Sequence, residues 1–269
     1  MSVRLRLKQA PALRLDLRGI VPAALAGLDA AAIERLPLAQ GRQALALAEF
    51  FDVVLGGDGD TVAFEGDLSR CDRIGWQLAG GRIVVEGSAG DHAGAGMTAG
   101  ELHIHGNAGL LAACEMAGGQ LVVEGNVGDF AASAQPGSLD GMRGGTFIVR
   151  GNAGERFGDR MRRGTVLVFG DAGDFFASRL VAGSIALGGR AGAHAGYGMR
   201  RGSLVFAGAA PTVAPTFVPA IAEAPVIWQL LARDLARHGG PFADLAGRRV
   251  QRHLGDVAAG GKGELMLVE

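Results

Sequence analysis

The sequence predicts a mainly β protein, specifically a right-handed parallel β-helix of about seven 19-residue coils with small α/β caps at both ends. Three observations lead there. Glycine recurs at positions 66, 87, 106, 125, 151, 170, 189 and 208, and the dominant step is 19 residues. The residues before each glycine form short strand-like quartets. A methionine or leucine stands ten positions after most of these glycines.

The quartets read Ile83-Val84-Val85-Glu86, Leu121-Val122-Val123-Glu124, Phe147-Ile148-Val149-Arg150, Val166-Leu167-Val168-Phe169 and Leu204-Val205-Phe206-Ala207. The positions four and two before the glycine are apolar in each, while the position just before it includes Glu65, Glu86, His105, Glu124 and Arg150. Strand side chains alternate, so one face is expected to point into a core and the other toward solvent. After the glycine comes a turn, as in Gly106-Asn107-Ala108-Gly109, Gly125-Asn126-Val127-Gly128, Gly151-Asn152-Ala153-Gly154 and Gly170-Asp171-Ala172-Gly173. Asn, Asp and Gly tolerate positive φ, and stacked asparagines can hydrogen-bond along the stack.

Met97, Met116, Met161, Leu180 and Met199 then line up one per coil, with Met142 filling the slot in the coil that carries seven extra residues around Ser133 to Leu139. A second glycine closes each coil at Gly100, Gly119, Gly145, Gly164, Gly183 and Gly202. One such unit cannot bury its own apolar face, so stacking at about 4.8 Å per coil is what creates a core. Each buried methionine or strand valine is then worth about 1.5–3 kcal/mol of transfer free energy.

A solenoid exposes unsatisfied strand edges and needs caps. Residues 3 to 17 alternate as two short strands. Asp29 to Leu36 reads as a helix with Asp29 as N-cap, and Phe50-Phe51-Asp52-Val53 leads into the first coil. At the other end a passage with Pro211, Pro215, Pro219 and Pro225 precedes an amphipathic helix over Val226 to Arg237, with Trp228, Leu231 and Leu235 on one side and Arg233 and Arg237 on the other. The expected division is an N-terminal cap over 1–60, the repeat domain over 61–208 and a helical cap or docking tail over 209–269.

Composition narrows the function classes. With 26 basic against 27 acidic residues there is no global attraction to nucleic acid or membrane, and neither is expected as a partner. No long apolar stretch and no signal-peptide pattern appear, so a cytoplasmic location is expected. Cys71 and Cys114 are 43 positions apart, without a CxxC or clustered histidines, which argues against an iron–sulfur or zinc site. The absence of nine-residue GGxGxDxUx repeats argues against a calcium-binding β-roll, and a 19-residue step is not a multiple of the hexapeptide period of left-handed acyltransferases.

The repeated Gly-Asn-Ala-Gly turn with Met-x-Gly-Gly resembles the C subunit of formylmethanofuran dehydrogenases. The same repeat is similar to the C-terminal domain of large-subunit glutamate synthases. The first resemblance extends further along the chain, taking in Gly41, Phe50-Phe51-Asp52-Val53, the coils from 61 to 208 and the tail Gly255-Asp256 to Gly261-Lys262-Gly263-Glu264. It implies a non-catalytic scaffold in a cytoplasmic hetero-oligomer, because the family's metallopterin and iron–sulfur centres belong to other subunits. Two relatives share this scaffold. One is the archaeal molybdenum or tungsten dehydrogenase. The other is a bacterial formyltransferase/hydrolase complex of one-carbon metabolism and formaldehyde oxidation, which moves a formyl group between tetrahydromethanopterin and a methanofuran-like coenzyme and releases formate. Arginine dominance over lysine, with the alanine and glycine excess, suggests GC-rich coding and favours the bacterial complex. The implied partners are a hydrolase-like subunit, a formyltransferase subunit and a further subunit. No cofactor is expected on this chain, and a stand-alone glutamate-synthase-like solenoid remains an alternative.

No catalytic set is visible. His103 and His105 lie two apart on an outward strand face, yet no third metal ligand accompanies them. His92 and His194 occupy the same repeat position. The run from Gly255 through Gly260-Gly261-Lys262-Gly263 has glycine where a phosphate loop needs serine or threonine, and Gly94-x-Gly96-x-x-x-Gly100 has the wrong spacing for a dinucleotide turn. The candidate site is an arginine ladder beside the methionines: Arg143, Arg162, Arg163, Arg200 and Arg201, with Arg179 just before Leu180. Guanidinium forks repeated along one edge suit carboxylates, hence an acidic partner surface or the glutamyl tail that methanofuran-type coenzymes carry.

Overall fold

The computed structural model describes residues 2–57, 59–220 and 226–269, so Pro225 of the proline passage lies outside the described residues. The chain opens with β1 (Ser2–Leu7), β2 (Leu15–Asp16), helices α1 (Pro22–Leu25) and α2 (Ala30–Glu34), then β3 (Pro37–Gln40), β4 (Gln43–Ala46) and β5 (Phe51–Gly56). The Asp29 carboxylate accepts from the Ala32 amide at 2.7 Å and caps α2, as its position before the helix predicts. The repeats supply β6 (Thr61–Glu65), β7 (Cys71–Asp72), β8 (Ala79–Glu86), β9 (Ala99–Ile104), β10 (Gln120–Val123), β11 (Arg143–Val149), β12 (Arg163–Val168), β13 (Ser184–Leu187) and β14 (Ser203–Phe206). The tail adds β15 (Val218–Pro219), α3 (Val226–Ala236), β16 (Val250–Gly255) and β17 (Gly263–Val268).

The fold is mainly β, built on an open mixed sheet of 13 strands in the order β15-β16-β17-β14-β13-β12-β11-β10-β9-β8-β6-β1-β5. The repeat strands pair in parallel with the register the sequence spacing demands: Leu102, Leu121, Phe147, Val166, Ile185 and Leu204 are successive neighbours. Antiparallel pairing closes both ends, β5 on β1 at one and β16 on β17 at the other. A second parallel ladder of single bridges runs Leu68, Ala89, Ala108, Val127, Ala153, Ala172, Ala191.

Every member of the methionine ladder is fully buried, from Met97 through Leu180 to Met199. The inward rows meet Phe157 and Phe176, whose rings stack on Phe147 and on each other at 5.8 and 5.7 Å. Cys71 and Cys114 are buried free thiols, which desolvation pushes up to about 12. The asparagine ladder also forms. The Asn107 side-chain oxygen accepts the Asn126 amide at 2.8 Å, Asn126 accepts Asn152 at 2.7 Å, and Asn152 accepts Asp171 at 2.8 Å.

Two expectations are corrected. The Asn turn is not where the backbone goes left-handed. From Gly106 onward the repeat glycine is required by crowding: a Cβ on Gly125 would meet the Gly106 carbonyl oxygen at 2.7 Å, and one on Gly151 would meet the Gly125 oxygen at 2.6 Å. Left-handed φ falls at the next corner, where non-glycine residues such as His92, Leu111, Phe130, Arg156, Phe175 and His194 adopt φ of 53–62°. Second, the outward face is not solvated throughout. Ile148, Leu167, Ala186 and Val205, in the outward positions of β11 to β14, are buried under Trp228, Ala232 and Leu235 of α3 with Phe242, Leu245 and Met266. The C-terminal helix is therefore a lid on the side of the sheet, and the end is closed by the β16–β17 hairpin instead.

Candidate functional site

Arg143, Arg162, Val181 and Arg200 each follow an inward methionine or leucine, and the amide of each rests on the repeat before it. Arg162 N–H donates to Met142 O at 2.7 Å, Val181 to Met161 O at 2.8 Å and Arg200 to Leu180 O at 2.7 Å. Burial of one side chain per coil thus sets its successor on the surface at a fixed height. Arg143, Arg162, Arg163, Arg200 and Arg201 are exposed and line one groove of about 540 Å³ with Asp140, Val181 and Ala182. Arg162 Nε lies 2.5 Å from Asp140 Oδ1. Arg143 donates to the Glu115 carbonyl at 3.4 Å, and among the described residues no carboxylate pairs with Arg143, Arg163, Arg200 or Arg201. Five guanidinium groups face one carboxylate, which leaves a cationic trough.

Arg179 does not join it. Its backbone is left-handed at φ 53°, which turns the side chain to a different corner, where it binds both oxygens of the buried Asp159 carboxylate. That hydrogen bond raises the Arg179 guanidinium pKa against the opposing effect of burial. In the groove the place expected for Arg179 is taken by Val181 and Ala182, an apolar step between two arginine pairs. Sequence spacing missed two members. Asp140 stands directly after the inserted segment, and the exposed Lys262 continues the register beyond Arg201, its amide donating to Arg200 O at 2.6 Å. The pairing of β14 with β17, Ser203 against Glu264, sets that alignment, and no repeat signal predicts it.

The histidine candidates lie outside the trough. His103 and His105 stack at 4.4 Å, with His103 Nε2 2.8 Å from Glu124 and His105 Nε2 3.8 Å from Glu86. Among the described residues no group of three or more His, Cys, Asp or Glu side chains is placed to hold a metal ion. His92 and His194 occupy equivalent left-handed corners. The Gly255–Gly263 run links β16 to β17 in a hairpin, not a strand to a helix. No helix among the described residues is long and apolar enough to cross a membrane.

Comparison with known proteins decides the family. No family model matches the sequence. A solved chain in the X-ray structure of the formyltransferase/hydrolase complex (FhcABCD) from Methylorubrum extorquens with methylofuran is 40% identical and superposes with a TM-score of 0.92, covering 98% of both chains. In sequence, 77 residues (29% of this chain) are 42% identical to the C subunit of the formyltransferase/hydrolase complex Fhc of the same organism. The chain belongs to the C-subunit family of these complexes. Within that family, a second relative is the C subunit of the molybdenum-containing formylmethanofuran dehydrogenase 1 of Methanosarcina barkeri, 38% identical over 90 residues, 32% of this chain. Both curated sequence matches span under a third of the relative's length, at 29% and 30%. The structural match extends over nearly the whole of both chains.

Proposed function

We propose that this chain is the non-catalytic scaffold of a formyltransferase/hydrolase complex, in which partner subunits transfer a formyl group between tetrahydromethanopterin and a methanofuran-like coenzyme and release formate. The observation that carries the reading is the 40% identity and near-complete superposition with a chain of the complex that holds methylofuran. A hydrolase-like subunit, a formyltransferase subunit and one further subunit are the proposed partners. The dehydrogenase alternative rests on a shorter match and ranks second.

In this reading the stacked coils wind as a right-handed parallel β-helix. The 19-residue register of the main sheet and the second ladder of bridges support that winding. Residues 1–60 and 209–269 act as N-terminal cap and docking tail around the repeat domain at 61–208. The trough of Arg143, Arg162, Arg163, Arg200 and Arg201 takes a polycarboxylate, either the coenzyme's glutamyl tail or an acidic partner surface; Arg179, held by Asp159, takes no part. One exposed guanidinium–carboxylate pair is worth only about 0.2–1 kcal/mol, so binding must come from several pairs made at once and must weaken as salt rises.

Co-expression with the three partner subunits tests the reading. A complex that forms and converts formyl-coenzyme to formate supports it, and failure of the wild-type chain to co-purify refutes it. Replacing Arg162, Arg163, Arg200 and Arg201 together with serine is expected to weaken assembly or raise the apparent KM for the coenzyme with kcat little changed. If neither moves, the trough is only solvated surface.

A further inference from the structure

A second surface lies one corner away from the basic trough. The left-handed corner of every coil carries a side chain with bulk or charge, and Arg73, His92, Leu111, Phe130, Arg156, Phe175 and His194 are stacked there by backbone hydrogen bonds between coils, such as Leu111 N–H to Asp129 O at 3.0 Å and Phe130 N–H to Glu155 O at 2.9 Å. Left-handed φ costs a non-glycine residue of the order of 1 kcal/mol or more. The fold itself accepts glycine at neighbouring corner positions, among them Gly94, Gly158 and Gly196, so backbone geometry alone does not call for these large side chains.

Toward the C-terminal end the corner is aromatic and cationic. Phe175 stacks on His194 at 4.9 Å, meets Tyr197 edge-on at 6.0 Å and carries the Arg156 guanidinium 4.6 Å above its ring. In the middle it is apolar, with Leu110 45% and Phe130 40% exposed. There the insertion folds over to make a pocket of about 470 Å³ between Leu110, Leu111, Phe130, Pro136, Arg160 and Arg179. The Asp159 carboxylate in its wall is already bound by Ser178 and Arg179, whereas the Arg160 guanidinium has no partner among the described residues. The free charge of the pocket is therefore positive. Clustered aromatic and arginine side chains around an apolar hollow are the composition of binding hot spots.

We propose that this corner is where a partner subunit of the complex docks, inserting an apolar anchor side chain into the pocket while a neighbouring carboxylate takes Arg160. The inference rests on the complex proposed above and assigns one of its interfaces to residues outside the basic trough.

The test uses full-length chains with Phe130→Glu, Leu110→Glu or Arg160→Glu, their melting temperatures compared with wild type, and their affinity for the assembled remainder of the complex measured by biolayer interferometry. All three sites face solvent at least in part, and if Phe130→Glu fails to fold, the other two decide the question. Folded variants are expected to bind about tenfold or more weakly, the effect of losing a hot-spot contact. Wild-type binding with undiminished variant binding overturns this interface while leaving the proposed function intact. Absence of wild-type binding overturns both. Wild-type self-association in light scattering that the variants lose, with partner binding unaffected, makes the occupant a second copy and likewise overturns the proposal.

Discussion

The two halves of the main sheet share an inner face and differ on the outer one. Inward, Ile83, Leu102 and Leu121 on the N-terminal side are as completely buried as Phe147, Val166 and Leu204 on the C-terminal side. Outward, β11 to β14 present Ile148, Leu167, Ala186 and Val205 to the Trp228 helix, while the corresponding positions of β6, β8 and β9 are Ala63, Val84 and His103, half-buried and outside that cluster, with Val122 of β10 at its margin. One half is a three-layer structure and the other is a two-layer one. The stacked repeat strands need only the inner face to be buried, and the outer face is free to take a lid or leave room for another chain.

Breaking the shared interior should have the largest effect. Met161→Asp puts an unpaired carboxylate where no water reaches, at a cost above about 4–5 kcal/mol, and soluble expression should be lost; normal yield with an unchanged melting temperature would place Met161 outside the core. Breaking the lid should cost less. Trp228 is buried and donates from Nε1 to the Arg248 carbonyl at 2.9 Å, so Trp228→Ala is expected to lose about 3–5 kcal/mol in urea unfolding. The matched change on the open half, Val84→Ala, should lose about 1 kcal/mol or less. Equal losses at the two positions would erase the distinction between the halves.

The smallest effect is a pH dependence. Burial, aided by the nearby Arg73 charge, pushes the His92 imidazole below its ordinary range of about 6.5, so the folded state binds this proton less readily than the unfolded chain. Its contribution is present in full above the unfolded pKa and is lost as pH falls through the folded one. The melting temperature should therefore decline from pH 7 toward pH 5, and His92→Asn, a residue that tolerates the left-handed φ of 60°, should flatten that decline. An unchanged slope would assign the acid sensitivity elsewhere, with His238, also depressed by burial, as the next residue to replace.

Much of this was legible in the chain because a repeat writes the same physical requirement many times. A glycine every 19 residues marks where a Cβ would strike the coil below, and a methionine every coil marks the interior, so strand positions, parallel register and the asparagine ladder follow from spacing. Five of the six candidate arginines share one trough because each stands one or two residues after an inward methionine at the same place in its repeat. Arg179 was misplaced because one residue of offset crosses a left-handed corner, and no composition signal marks that corner when it is built from Gln77, Glu115, Arg160 and Arg179 instead of glycine.

The sequence by itself determined the 19-residue repeat, its inward and outward rows and the family to which it belongs. Those depend on local alternation and on contacts between equivalent positions of neighbouring repeats. Only the tertiary structure decided which outward residues are covered, that Lys262 continues the register beyond Arg201, and that the insertion forms one wall of an apolar pocket while Asp140, directly after it, enters the trough. Each of these joins segments outside the repeat, where side-chain fit over long chain separations replaces periodicity and leaves no spacing to read.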